Sequence, residues 1–273
     1  MPDVAPLLTK DGLRLHRRVW SADTPRAVVL LVHGFGEHTG RYEHVAAALN
    51  DAGYTLASYD QRGWGRSEGR SAFVRRIDDY TDDLALALAQ VRSEHPDLPL
   101  FLFGHSMGGL VVTLFAIDHK PEVSGLVLSG SAFESDESPF LQSIGRVIGK
   151  WFPKLPTAPL TWHYISRSPE VIAAAEADPM YYKGRIIAAT GAAMLDGMDR
   201  VQAQMEAITY PFLAFHGGAD RVTNPQGSRD LYRRAASADK TLKIYDGLYH
   251  ETLNEPEQAE VLADFIAWLD ARI

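Results

Sequence analysis

The chain has 273 residues, 46% of them hydrophobic and 23% charged, which suits one large folded unit and excludes intrinsic disorder. Its net charge of −8 argues against nucleic acid as a partner and against electrostatic attraction to an anionic membrane. There is no cysteine, so disulfides, thiolate catalysis and cysteine-bound metals are excluded. Residues 1–20 lack the basic start and apolar stretch of a secretory signal, and apolar runs such as Ala27–Val32 are too short to span a bilayer. A cytosolic protein is expected.

Residues 6–20 read as a hairpin turning at Asp11-Gly12. The continuous apolar run 27–32 suits a strand buried on both faces of a parallel sheet. A helix near 42–51, a strand at 54–59, a helix over 78–94 and a strand at 100–103 follow. A helix then starts at Ser106, and 125–129 is the next strand. Strands alternating with helices imply parallel βαβ units, hence an α/β fold with a mostly parallel sheet. The alternation stops over 132–207, which is rich in helix formers, carries Pro139, Pro153, Pro156, Pro159, Pro169 and Pro179, and shows no convincing strand. This reads as a helical subdomain inserted into a core of 1–131 and 208–273. Strands at 212–215 and 242–245 and a last helix over 256–272 complete the core.

Gly104-His105-Ser106-Met107-Gly108 fits G-x-S-x-G between an apolar strand and a helix. Small residues two before and two after the serine leave room for a sharp strained turn that exposes its hydroxyl. A serine hydroxyl is a weak nucleophile at neutral pH and needs a base. In chain order, Asp220 follows the strand 212–215 and His250 follows 242–245, both at strand ends where open α/β sheets place their sites. His250 is the expected base and Asp220 the carboxylate that orients it; Asp246 is a rival acid that reads better as a turn residue. Acyl transfer also needs an oxyanion hole. The N–H of Met107, after the nucleophile, is one expected donor. Phe35 N–H, in His33-Gly34-Phe35-Gly36 after the first parallel strand, is the other. Each would contribute about 3 kcal/mol to the transition state. His33 and His105 read as packing residues. Asp78, Asp79, Asp82 and Asp83 suit a helix start, where the dipole favours negative charge, better than a metal site. The loop Asp60-Gln61-Arg62-Gly63 with Gly65 and Ser67 lacks the spacing of a nucleotide site. Neither metal nor organic cofactor is called for.

These residues resemble the monoacylglycerol lipases of the α/β-hydrolase superfamily. The stretches that carry the resemblance are His33-Gly34-Phe35-Gly36-Glu37-His38-Thr39-Gly40-Arg41-Tyr42, Asp60 to Gly69, Gly104 to Gly109, His216-Gly217-Gly218-Ala219-Asp220-Arg221, and Leu248-Tyr249-His250-Glu251 with Asn254-Glu255-Pro256. It extends over essentially the whole chain and is closest to bacterial members. It implies an α/β-hydrolase fold with a cap, or lid, over 132–207, an acyl-chain tunnel, and hydrolysis of monoacylglycerols to fatty acid and glycerol. A broader carboxylesterase or lysophospholipase on the same triad is the alternative. The resemblance places Glu37 and Arg41 near the glycerol end of the site; an internal ion pair that fixes their loop is an equal reading, and both can hold. Several members carry a tyrosine three residues before an Asp-Pro pair in the cap. Here Asp178-Pro179 is present but that position is Ala175, so contacts to the leaving alcohol should differ.

Within the cap, Phe140, Leu141, Ile144, Val147, Ile148, Trp151 and Phe152 recur at helical spacing. Such a stripe packs on a core, or lines an acyl pocket and touches a lipid surface. The expected partner is a small lipid ester, with transient contact of the cap with membranes or lipid aggregates.

Overall fold

The computed structural model describes residues 2–273. Ten strands and eight helices are present among them: β1 (Asp3–Leu8), β2 (Arg14–Trp20), β3 (Ala27–Val32), α1 (Glu43–Asp51), β4 (Tyr54–Tyr59), α2 (Asp78–Glu94), β5 (Leu100–His105), α3 (Met107–His119), β6 (Gly125–Ser129), α4 (Pro139–Trp151), β7 (Pro156–Pro159), α5 (Pro169–Ala177), β8 (Arg185–Ile187), α6 (Ala188–Gln204), β9 (Phe212–Gly217), α7 (Pro225–Arg234), β10 (Lys240–Tyr245) and α8 (Gln258–Asp270).

Eight strands form one sheet in the order β1-β2-β4-β3-β5-β6-β9-β10. The β1–β2 hairpin and the β2–β4 pair are antiparallel, and all other neighbours run parallel. Because successive side chains on a strand point to opposite faces, the unbroken run of β3 serves two cores. Val28, Leu30 and Val32 pack with residues of α2, α3 and α6 on one face. Ala27, Val29 and Leu31 pack with α1 and α8 on the other. β3 lies between β4 and β5, so the winding direction reverses there. The loops after β3 and β5 therefore open side by side at the carboxyl edge, the place where such sheets hold ligands.

Between β6 and β9 the chain leaves the sheet, and the expectation of no strand there is corrected. β7 and β8 form a two-stranded antiparallel ribbon, Pro156↔Ile187 and Pro159↔Arg185. Both strands are short and β7 begins and ends in proline, which cannot donate to a ladder and so argues against a strand in sequence. The helix α4 crosses α6 closely at Gly149, where a methyl group would lie 2.6 Å from Ala192 Cβ. Most of the apolar stripe stays uncovered: Phe140, Trp151 and Phe152 are 73%, 70% and 65% exposed, Leu141, Ile144 and Val147 are exposed too, and only Ile148 is half-buried. No helix among the described residues is long and apolar enough to cross a membrane.

Candidate active site

Ser106 sits between β5 and α3 with φ +54° and ψ −117°, a backbone conformation that costs a non-glycine residue about 1–3 kcal/mol. Its neighbours hold it there. Ser106 N–H donates to Ser129 O at 2.9 Å, and its own carbonyl accepts from Ala132 N–H at 3.1 Å and Gly109 N–H at 3.0 Å. The two glycines of the motif are required by close approach: a methyl on Gly108 would lie 2.0 Å from Val32 O, and one on Gly104 would lie 2.5 Å from Gly108 O. Met107 is the first residue of α3, so its N–H is one of the donors a helix start leaves without an intrahelical partner.

The loop after β3 lies against the elbow, since a methyl on Gly34 would sit 3.1 Å from Ser106 Cβ. The chain buttresses this loop heavily. Gln61 N–H donates to His33 Nε2 at 2.9 Å and Gln61 Nε2 donates to His33 O at 2.7 Å. His33 Nε2 is thus an acceptor, its proton lies on Nδ1, and that proton is given to Gly34 O at 2.8 Å. Burial keeps this imidazole neutral by lowering its pKa, against the pull of Glu37 and Asp60. Asp60 carboxylate oxygens accept from Thr39 N–H and Arg66 N–H, both at 2.8 Å. The Asp60 loop therefore shapes the loop after β3. Phe35 stacks edge-on to Trp64, ring centroids 4.6 Å apart, and Tyr182 N–H donates to Gly36 O at 2.7 Å.

Asp220 and His250 come together from the loops after the adjacent strands β9 and β10, with His250 Nδ1 2.7 Å from Asp220 Oδ2. The rival Asp246 is exposed to solvent. His250 is beside the elbow: its ring centroid is 4.8 Å from that of His105, and a methyl on Gly130 would touch its Nδ1 at 3.3 Å. Asp220 is more fully engaged than the sequence suggested. Val222 and Thr223 N–H donate to Oδ1 at 2.7 and 3.0 Å. Thr223 Oγ1 and His216 Nε2 approach Oδ2 at 2.9 and 3.0 Å. Burial alone would raise this carboxyl, but charge on His250 and the bonds from His216 and His250 hold it well below the usual carboxylate range. Burial alone would lower His250, and the carboxylate of Asp220, with Glu251 and Glu37 beyond it, raises its pKa above 6.5 instead. His105 takes the opposite course, pushed down to about 4 by burial despite Glu37.

Glu37 and Arg41 lie in one buried network. Glu37 Oε1 accepts from Gly34 N–H at 2.5 Å and Tyr42 OH at 2.7 Å, and Oε2 accepts from Arg41 at 3.1 Å. Arg41 forks onto Glu251 at 2.6 and 2.8 Å and lies 4.9 Å from the ring of Tyr181. Burial would raise Glu37, yet His105, Arg41 and His33 around it hold it down to about 2. With these partners the pair fixes the loop after β3 to the loop after β10. Ala175 is buried, 1% exposed, beside Ile165 and Tyr181.

His216, Thr223 and Glu251 were not singled out in sequence. His216 and Glu251 stand within the stretches that carry the family resemblance but without a role, and Thr223 has only its nearness to Asp220; the bond of Glu251 to Arg41 joins segments distant in sequence. The four acidic residues around 78–83 open α2, where Asp78, Asp79 and Asp83 pair with Arg200, Arg76 and Arg62.

The chain is similar to known proteins along most of its length. The family model described as "Serine aminopeptidase, S33" matches residues 23–257. The monoacylglycerol lipase of Mycolicibacterium smegmatis is 41% identical over 261 residues, covering 94% of this chain and 93% of that one. The human monoglyceride lipase is 32% identical over 276 residues, covering 99% and 91%. The crystal structure of a soluble variant of Saccharomyces cerevisiae monoglyceride lipase with a substrate analogue superposes with a TM-score of 0.87 at 28% identity, covering 98% and 96%. Similarity of this degree along nearly the whole chain, on a mostly parallel sheet whose winding reverses beside the strained Ser106, shows that the chain belongs to the monoacylglycerol lipase family of α/β hydrolases.

Proposed function

We propose that this protein hydrolyses the ester of monoacylglycerols to fatty acid and glycerol. The reading rests above all on the 2.7 Å pairing of Asp220 with His250 beside the strained Ser106. His250 takes the proton of Ser106 as the hydroxyl oxygen attacks the ester carbonyl carbon. The carbonyl electrons move to oxygen, where the N–H groups of Met107 and Phe35 receive the negative charge. Collapse of this adduct breaks the ester bond, and His250 returns its proton to the departing alcohol. Water then repeats the sequence on the acyl-enzyme, with His250 as base, and Ser106 regains its proton as the acid leaves.

Asp220 holds His250 with its proton on Nδ1, so that Nε2 is free to act as base. Glu37 and Arg41 act through the shape of their loop rather than on the glycerol, because their polar atoms are taken up by Gly34, Tyr42 and Glu251. Residues 132–207 serve as the cap. Burial of an acyl chain there is worth about 0.8 kcal/mol per methylene, which favours a lipid ester over a short one. The exposed apolar face of α4 supports transient docking to lipid aggregates by a cytoplasmic protein.

The test is kcat/KM measured on monoacylglycerol, lysophospholipid and a short p-nitrophenyl ester under matched conditions. Monoacylglycerol is expected to give the largest value. If it is no better than the others, a general carboxylesterase or lysophospholipase replaces this reading.

A further inference from the structure

We propose that His216 is a positioning residue for the triad: its Nε2–H holds the Asp220 oxygen that also receives His250, setting the direction and the basicity of that carboxylate. The proposal rests on Ser106, Asp220 and His250 working as a triad.

Asp220 Oδ2 is approached by three groups, His250 Nδ1 at 2.7 Å, Thr223 Oγ1 at 2.9 Å and His216 Nε2 at 3.0 Å. His216 is fully buried at the end of β9, in register with Ile244 of β10. Its second nitrogen, Nδ1, lies 2.8 Å from Ser228 Oγ on α7. The ring is therefore pinned at both nitrogens. With the Ser228 hydroxyl donating to Nδ1, the ring proton lies on Nε2, where Asp220 needs it. His216 sits behind the carboxylate and has no part in proton transfer.

Each donor on a carboxylate draws off some of its charge. Without His216, more of that charge falls on His250, so the imidazolium is better stabilised and its pKa rises. The carboxylate also loses one of the bonds that aim it, and turnover falls. The other titratable and charged groups around His250 stay in place: His105 at the end of β5, held neutral by burial, Glu37 from the loop after β3, Arg41 bound to Glu251, and Glu251 itself.

The test is the pH profile of kcat and KM on a soluble p-nitrophenyl ester for wild type, His216→Leu, His216→Met and His216→Gln. Leu and Met carry no donor, and Met serves if Leu does not fold. Both are expected to lower kcat roughly tenfold to a hundredfold and to leave KM nearly unchanged. Both should move the acidic limb of kcat/KM upward by about half a unit or more. Gln, whose amide nitrogen falls near the place of Nε2, is expected to restore most of the rate and the original limb. An unmoved or lowered limb without the donor, or a Gln variant as impaired as Leu, overturns the proposal. Fluorophosphonate labelling of wild type separates the two levels: no label on Ser106 means the triad reading has failed, whereas normal label with an unmoved limb means only the role of His216 has.

Discussion

Replacing Asp220 by asparagine tests the triad through its hydrogen bonds rather than its volume. The two carboxylate oxygens face different donors. Oδ1 accepts from two backbone N–H groups, Val222 and Thr223, at 2.7 and 3.0 Å, and backbone donors cannot change tautomer. The amide oxygen of the introduced asparagine must therefore take that side, which leaves its NH₂ on the side of His250 and His216. Both imidazoles can adapt by moving a proton. His250 then accepts at Nδ1 and carries its proton on Nε2, the nitrogen that should receive the serine proton. The fold survives at a cost of about 1–3 kcal/mol, since at most a donor or two lose their partner. The chemistry does not. A base held in the wrong tautomer, without a carboxylate to stabilise its cation, costs about 10⁴-fold in kcat, or roughly 5.5 kcal/mol at 1.36 kcal/mol per decade. Steady-state turnover of a soluble p-nitrophenyl ester near neutral pH measures it, with a thermal melt to show that the variant is folded. A folded variant within tenfold of wild type would refute the assignment of Asp220.

Other expectations follow from the same geometry. The acidic limb of kcat/KM reports protonation of His250 in the free enzyme. Because Asp220 raises that pKa, activity should rise with pH through a midpoint above 6.5, and a midpoint below 6.5 contradicts the pairing. Gly108→Ala places a methyl 2.0 Å from Val32 O, so the elbow and β3 must separate; a loss of about 3 kcal/mol or more is expected in denaturant unfolding, and a midpoint equal to wild type would show that the turn is looser than described. Exchange of Phe140 and Trp151 on α4 for serine should weaken vesicle co-sedimentation and leave kcat/KM on a soluble short ester unchanged. Equal sedimentation of the variant and wild type would count against lipid docking by this face.

The core of the fold was legible because its strands are doubly buried. Ala27–Val32 reads as a strand since every residue faces one core or the other. The helix α7 escaped notice because Pro225–Arg234 is mostly polar and only Leu231 among its large apolar side chains is buried. Its start was nonetheless marked, by Asn224 accepting from Gln226 N–H and by Pro225 in the first turn. The ribbon β7–β8 joins residues far apart in sequence through strands too short and too proline-rich for any alternation to show. At the site, G-x-S-x-G and the chain order of Ser106, Asp220 and His250 were readable because each follows a strand. The bonds of His216, Thr223 and Glu251 were not: those to Asp220 depend on how one short loop turns, and those to Ser228, Gly130 and Arg41 arise where separate elements meet. The stripe on α4 is readable as a stripe, but periodicity carries no information about what covers it, and the fold leaves it exposed.

The central claim is that Ser106, activated by its surroundings, is the nucleophile. Incubation of the folded protein with an alkyl fluorophosphonate, followed by peptide mass spectrometry, tests it most directly. The account predicts a single adduct on Ser106 in wild type, formed much more slowly in His250→Ala and absent in Ser106→Ala. Unlabelled wild-type protein, or an adduct on another residue with Ser106 untouched, would contradict it.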